Sequence, residues 1–493
     1  MDLNLSRILN IVPEKRHTGA VIGLLGVLAI TIIVALATNT PELLVVPIAA
    51  IVGFLAITDY KKLFLILWAT IPLSTEVEFG SIGTDLPDEI LMIALMGVAI
   101  LIFIAKAPRL SMRMMLNPIT LLLILHVAWI GITTFTSTQT VISLKFFAAK
   151  LWYVGTFYFL SYYLIRGDKD MRKWFKWLFI PVLLTVAIVW IRHAGTGFSF
   201  DTVEEMMKPF YRNKVDYALM LGVITPFAWY FRDYWKGKYT GIAIVFILLI
   251  GVYFAYTRAA YLGLVIGAAG LLCIHTRTLK FAILLSVAGL TFVLVNLAKD
   301  NRYIDYAPEY SKTISHKNFD NLLEATYKLE DISSMERVYR WVAGFYMIGE
   351  RPWLGFGPGA FYESYMPYTD NHFLTYVSDN PERSGVHNYF LMTATDQGLP
   401  GLVIFVALLL FTFLKAQWLY TRLNDDFAKK LLNACIVTLI FIVFVLLLND
   451  MVETDKVGSF FFFSLAMIVA LEERYLKRGN DRDARIVNLK SGK

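Results

Sequence analysis

Arg212, Arg258, Arg337, Arg340 and His387 are the side chains of this sequence best placed for chemistry. Each lies at the edge of an apolar run or in the one long polar segment. Arg212 lies in KPFYRNKVDYALML, just ahead of an apolar run, and Arg258 in FAYTRAAYLGLVIG, between two runs with almost no connection. Arg337 and Arg340 share the stretch ISSMERVYRWVAGFYMIGE; His387 and Asn388 lie in SGVHNYFLMTATDQGLPG, where polar sequence gives way to apolar. A guanidinium is permanently charged and its planar fork matches phosphate oxygens. Ionisable groups at membrane-span ends are costly to bury and mark function by default. Together the four arginines ask for an anionic ligand presented at a membrane surface, and a lipid diphosphate is the obvious candidate. A histidine, with an ordinary pKa of about 6.5, stays neutral beside guanidiniums and can take a proton from a hydroxyl, as a general base does. Taken singly, each arginine reads equally as an interfacial anchor or salt-bridge partner, and His387 as a helix-start residue that only hydrogen-bonds locally. His126, inside an apolar run, and His193, in RHAGTGF, are its rivals.

Those side chains need a scaffold that crosses a bilayer. Of 493 residues 57% are hydrophobic and 17% charged, with a mean hydropathy of +0.57, too apolar for an ordinary soluble domain. A helical span takes roughly 17 to 25 apolar residues. Such runs fall near 19–37, 42–57, 62–73, 89–105, 118–134, 150–165, 177–191, 215–231, 241–256, 259–274, 280–298, 400–416, 431–448 and 457–471. The expected fold class is an all-α integral membrane protein: a polytopic bundle of about 12 to 14 transmembrane helices with a large, mainly helical loop outside. The sequence divides into N-terminal spans (1–298), the large loop (299–386), C-terminal spans (387–472) and a polar tail (473–493). The first apolar run is near twenty residues and a second follows at once, so it reads as a span and not a cleaved signal.

Charge sets the orientation. With the N-terminus inside, Lys and Arg crowd the even-numbered connections: Lys61 and Lys62; Lys106, Arg109 and Arg113; Arg166 to Lys176; Arg232 to Lys238; Arg277 and Lys280; Lys415 to Lys430. Both termini are then cytoplasmic, and the long loop with His387 lies on the other side. The net charge of +7 reflects topology and lipid headgroups and gives no reason to expect nucleic acid. Cys273 and Cys435 both fall inside spans, which leaves no disulfide framework and no cysteine metal site.

Within the large loop, residues 332–350 read as an amphipathic helix. Ser333 and Glu336 have capping-box spacing, Val338, Trp341, Val342 and Phe345 form an apolar stripe, and Arg337 and Arg340 flank it. GERPWLGFGPGAF ends that helix. Its Gly355-x-Gly357-x-x-Ala360 pattern follows a helix and no strand, which argues against a dinucleotide site. Asp168 with Asp170, and Asp481 with Asp483, read as a solvated helix start and tail. Trp341, Trp353, Tyr362, Tyr365 and Tyr368 read as loop core or as platforms for sugar rings.

In this order the segments RNKVDYALMLGVITPFAWY, YTRAAYLGLVIG, ERVYRWVAGFYMIGERPWLGFGPGAF and VHNYFLMTATDQGLPGLVIF, over residues 200 to 420, resemble the O-antigen ligase and O-antigen polymerase superfamily. The resemblance implies a GT-C-like glycosyltransferase on the periplasmic face of the bacterial inner membrane. Its donor would be a glycan on undecaprenyl diphosphate, its acceptor a hydroxyl of a lipid, glycan or protein, and its surroundings membrane lipids, with no cofactor and no metal. By the same resemblance, Arg212, Arg258 and Arg337, with Arg340 as rival to the last, hold the donor diphosphate. His387 activates the acceptor, supported by Asn388, and the anomeric configuration inverts. The expected number of spans exceeds the family's usual twelve or so. Other readings are a polymerase of the same superfamily, a metal-dependent transferase using Asp85, Asp88 and Glu89 of STEVEFGSIGTDLPDE, and a transporter or flippase of lipid-linked sugars. The last predicts charges facing a cavity at mid-membrane depth.

Overall fold

A computed structural model describes residues 45–79, 82–106, 112–237, 239–299, 332–370, 378, 380 and 384–476, with parts of 23–38. The first expected span lies largely outside the described residues, as do 300–331 and the polar tail beyond 476 with Asp481 and Asp483. The chain is an all-α polytopic membrane protein. In hydrocarbon every backbone N–H and C=O must be paired within its own segment, so the apolar runs fold as helices. Among the described residues five helices are long and apolar enough to cross a membrane: Pro118–Phe135, Asp168–Gly195, Arg258–His275, Tyr389–Tyr420 and Asp426–Val445. Helix Leu279–Ala298 carries one charge, and its outward side chains, such as Leu285 at 75% exposed, are apolar. A helix apolar on its exposed face has lipid as its solvent.

Packing groups the chain into two compact units. One, residues 1–110 and 152–185, holds α1 (Val45–Thr58), α2 (Tyr60–Thr70), the strands β1 (Thr75–Phe79) and β2 (Ile82–Leu86), and α3 (Asp88–Lys106). The acidic connection that could have carried a metal is an antiparallel hairpin, with Glu76 paired to Asp85. Asp88 and Glu89 head α3, and the Glu89 carboxylate accepts from the Thr84 hydroxyl. Trp68 centres this unit's core, edge-on to Phe157 and Trp174 at 5.2 and 5.1 Å.

The second unit, residues 111–151 and 186–493, contains α4 (Pro118–Phe135), α5 (Thr140–Tyr153, running on into Trp152–Leu164 of the first unit), and the end of α6 (Asp168–Gly195). It continues with α7 (Lys214–Tyr230), α8 (Thr240–Phe254), α9 (Arg258–His275), α10 (Leu279–Ala298), α11 (Ile332–Glu350), α12 (Tyr389–Tyr420), α13 (Asp426–Val445) and α14 (Asp455–Leu471). Helix α14 is buried along its whole length. Helix α9 lies antiparallel against α13 because Gly263 and Gly270 present no side chain: a Cβ there would meet Phe441 at 2.8 Å and Ile440 at 2.5 Å.

Helix α12 breaks where its sequence says it must. Gly398, at φ 72° and ψ 177°, has a conformation essentially closed to other residues, and Pro400 has no N–H to offer Asp396. The carbonyls freed by the break are all accepted elsewhere. Phe356 N donates to Thr395 O and Gly357 N to Asp396 O, each at 2.9 Å; Trp129 Nε1 donates to Gln397 O at 2.9 Å. The glycine-rich loop after α11 is thus a clamp on the break. A Cβ on Gly398 would sit 2.3 Å from Trp353 O, a backbone atom that cannot move aside. Gly398→Ala is expected to destabilise the protein by at least ~2 kcal/mol, read as a lower midpoint of thermal unfolding in detergent; an unchanged midpoint would show that the break is soft.

Helix α11 has the boundaries expected of it, but its buried face differs. Tyr339, Arg340, Ala343 and Met347 are buried together with Glu336 and with Val342 of the expected stripe, while Phe345 of that stripe is 54% exposed. The apolar stripe is only a partial guide because two charged residues are also buried, neutralising each other: Arg340 Nη2 lies 3.2 Å from Glu336 Oε2. Glu336 also accepts from Ser378 Oγ at 3.0 Å.

Candidate active site

His387 owes its position to two elements. Asn388 caps α12, its side chain accepting from Leu391 N at 3.0 Å, and Tyr389 N donates to Leu446 O at 2.8 Å. His387 therefore stands just outside the helix, at φ 52°, a left-handed conformation uncommon for any residue but glycine. From the other side α11 fixes the two residues before it. Arg340 Nη1 donates to Gly385 O at 3.3 Å, and Trp341 Nε1 to Val386 O at 3.0 Å. The imidazole is half-buried and its Nδ1 has no hydrogen-bond partner among the described residues. Burial first, then the charges of Arg337 and Arg340, lower its pKa to about 3. It is held neutral, with Arg337 and Arg340 as the cations that act on it.

Arg337 is half-buried and donates from Nε to Leu448 O at 3.3 Å; Arg340 is buried at 5% exposed and held by Glu336 and Gly385. Of the two, Arg337 is the more open to a ligand. Arg212 is exposed, two residues before α7, and with Arg340 it acts on Asp450. Asp450 lies against Gly385, whose added Cβ would meet Asp450 Oδ2 at 2.6 Å. Burial, then the Glu453 carboxylate, raises the Asp450 carboxyl above its ordinary range, against a backbone N–H and the two arginines. Arg258 is the first residue of α9 and half-buried. The Thr257 hydroxyl donates to Lys214 O at 3.4 Å, and Gly263 one turn further packs on Phe441 and Phe444. Arg258 therefore lies at the bundle end that holds the starts of α7 and α12 and the end of α13.

Sequence reasoning passed over four further residues at this end. Lys150 of α5 is 3% exposed and its Nζ lies 2.6 Å from Glu453 Oε1. Asp450 and Glu453 belong to the connection from α13 to α14. Asp396, fully buried in α12, accepts from Gly359 N at 2.7 Å and helps hold the clamp loop to the break. The rivals of His387 have other surroundings. His193 Nε2 is 3.0 Å from Ser199 O, within a turn, and His126 is buried in α4 against Phe405 at 5.5 Å. Asp168 pairs with Arg172 at 3.6 Å, and Asp170 accepts from Arg166 N, as in a solvated helix start. Of the loop aromatics, Tyr365 is buried and Trp353 is 71% exposed.

The chain is thus a polytopic helical bundle with His387 beside Arg337 and Arg340 at one end. Residues 243–406 match the family model described as O-antigen ligase. That match supports the O-antigen ligase and polymerase superfamily and, in general terms, the ligase or polymerase type of function on lipid-linked glycans that the family implies. The matched stretch carries Arg258, Arg337, Arg340 and His387 and ends beyond the break of α12; Arg212, Lys150, Asp450 and Glu453 lie outside it. No curated protein matches the chain.

Proposed function

We propose that the protein is a glycosyltransferase of the periplasmic face of the inner membrane. It moves a glycan from undecaprenyl diphosphate to an acceptor hydroxyl in the manner of an O-antigen ligase, with both termini cytoplasmic. The observation that carries this reading is the neutral His387 beside Arg337 and Arg340, with Arg212 sharing Asp450 with Arg340. Arg212, Arg258 and Arg337 hold the donor diphosphate. The bond from the anomeric carbon to the diphosphate oxygen breaks, its electron pair stays on the diphosphate, and the fixed guanidiniums neutralise that charge without reorganising. The acceptor oxygen bonds to the anomeric carbon from the opposite face, inverting it, and its proton passes to His387. Asn388 fixes the helix start on which that geometry depends.

Purified protein in detergent, given a lipid-linked oligosaccharide and an acceptor, is expected to release undecaprenyl diphosphate with and without EDTA. Product length separates transfer of a whole chain to a new acceptor from joining of repeat units on the carrier. If folded wild-type protein releases nothing with any acceptor, with metal present or absent, the transferase reading fails and a transporter of the same lipids takes its place.

A further inference from the structure

The connection from α13 to α14, residues 446–454, touches the site three times. Leu446 O accepts from Tyr389 N, Leu448 O accepts from Arg337 Nε, and Asp450 lies against Gly385. It therefore sets where the imidazole and the more open guanidinium stand relative to each other. The connection is itself anchored by an ion pair across 303 residues of sequence, from Lys150 Nζ to Glu453 Oε1 at 2.6 Å. The ammonium lies 5.3, 5.9 and 5.6 Å from the ring centres of Phe146, Tyr389 and Phe462, within cation–π reach of each. The same Glu453 carboxylate acts on the Tyr389 hydroxyl, two residues after His387. One cation thus ties α5, the start of α12 and the connection into one node.

A pair with a buried lysine and a half-buried glutamate is a poor source of stability. Desolvation of both charges offsets their attraction, and apolar replacements of similar volume are often neutral or stabilising. We propose that Lys150 and Glu453, with the Tyr389 hydroxyl, are positioning residues of the transfer reaction: the node fixes the 446–454 connection and through it holds His387 and Arg337 in register for donor and acceptor. The inference rests on the transferase reading above. A misplacement of about 1 Å suffices to cost about 100-fold in rate, so the node has leverage without touching a substrate.

The test is the double variant Lys150→Met/Glu453→Leu, which removes both charges and leaves neither stranded. Its thermal midpoint is expected to equal or exceed that of wild type, while kcat for diphosphate release falls about 30- to 100-fold and donor KM changes little. The acidic limb of its kcat/KM profile moves up toward the ordinary histidine value, because Arg337 no longer stands where it did. Wild-type kcat in the double variant overturns the proposal. So does a loss of activity accompanied by a lower thermal midpoint, which makes the pair structural, or a loss with an unmoved pH profile, which leaves His387 and Arg337 in register. The wild-type protein and His387→Ala run beside it keep the two readings apart. Inactive wild type or active His387→Ala defeats the transferase site as drawn, whereas a fully active double variant with both controls as expected defeats only this inference.

Discussion

His387→Ala is expected to lower kcat for glycosyl transfer 10²- to 10⁴-fold, the usual worth of a positioned general base, with donor affinity close to that of wild type. The imidazole sits at the end of the polar loop with Nδ1 unpartnered, so its removal takes away a proton acceptor and little packing. The measurement is single-turnover transfer at saturating donor. Retention of more than a tenth of the wild-type rate would assign the proton to another group, and Asp450, held against Gly385 with a raised pKa, is then the candidate.

The same residue fixes the pH dependence. Because burial and two guanidiniums lower its pKa from 6.5 to about 3, kcat/KM is expected to stay flat as pH falls through 6.5 and to be lost only far below it. Arg337→Gln removes one of the two charges, so its acidic limb moves up. A bound diphosphate offsets both, so the limb for kcat lies above that for kcat/KM. Stability follows with the opposite appearance. Between about 6.5 and about 3 the unfolded chain takes up a proton that the folded imidazole refuses, so stability falls as pH falls across that window, and His387→Ala removes this dependence.

Much of this architecture is local and was therefore legible in the sequence. Apolar length placed the helices, the 332–350 pattern gave α11 its ends, and Gly398 with Pro400 marked the break of α12, since each depends on residues within a few turns. What escaped depends on distance along the chain. Lys150 resembles any lysine near the edge of a span until Glu453 is brought 2.6 Å away from it. Asp450 and Glu453 resemble a solvated outer loop until α11 and α12 close over their connection. The inward face of α11 escaped for another reason. Apolar periodicity assumes an apolar core, whereas this helix buries Arg340 against Glu336 and turns Phe345 outward. The glycines of GFGPG were legible as a loop, but their purpose as a clamp lies in what they touch: a Cβ on Gly355 would be 2.5 Å from the Asp396 backbone.

Arg258→Ala is expected to lower kcat/KM 10²- to 10³-fold, the cost of removing one fixed donor from developing negative charge in a water-poor site. The side chain is only half-buried, at the first residue of α9, so folding should survive the change. Arg258→Lys keeps the charge and loses the planar fork; it should recover only part of the rate, because a diphosphate engages a guanidinium through two oxygens at once. Arg340 is the instructive contrast. Its guanidinium is committed to Glu336 and Gly385, so Arg340→Ala strands a buried carboxylate at a cost of about 3 to 5 kcal/mol and should be read in the thermal midpoint before the rate. A donor-site arginine and a scaffold arginine thus separate in one experiment, with rate and melting measured on both variants. If Arg258→Ala melts early at full specific activity, the cation that meets the diphosphate is not this one, and Arg212 and Arg337 alone must neutralise the leaving group.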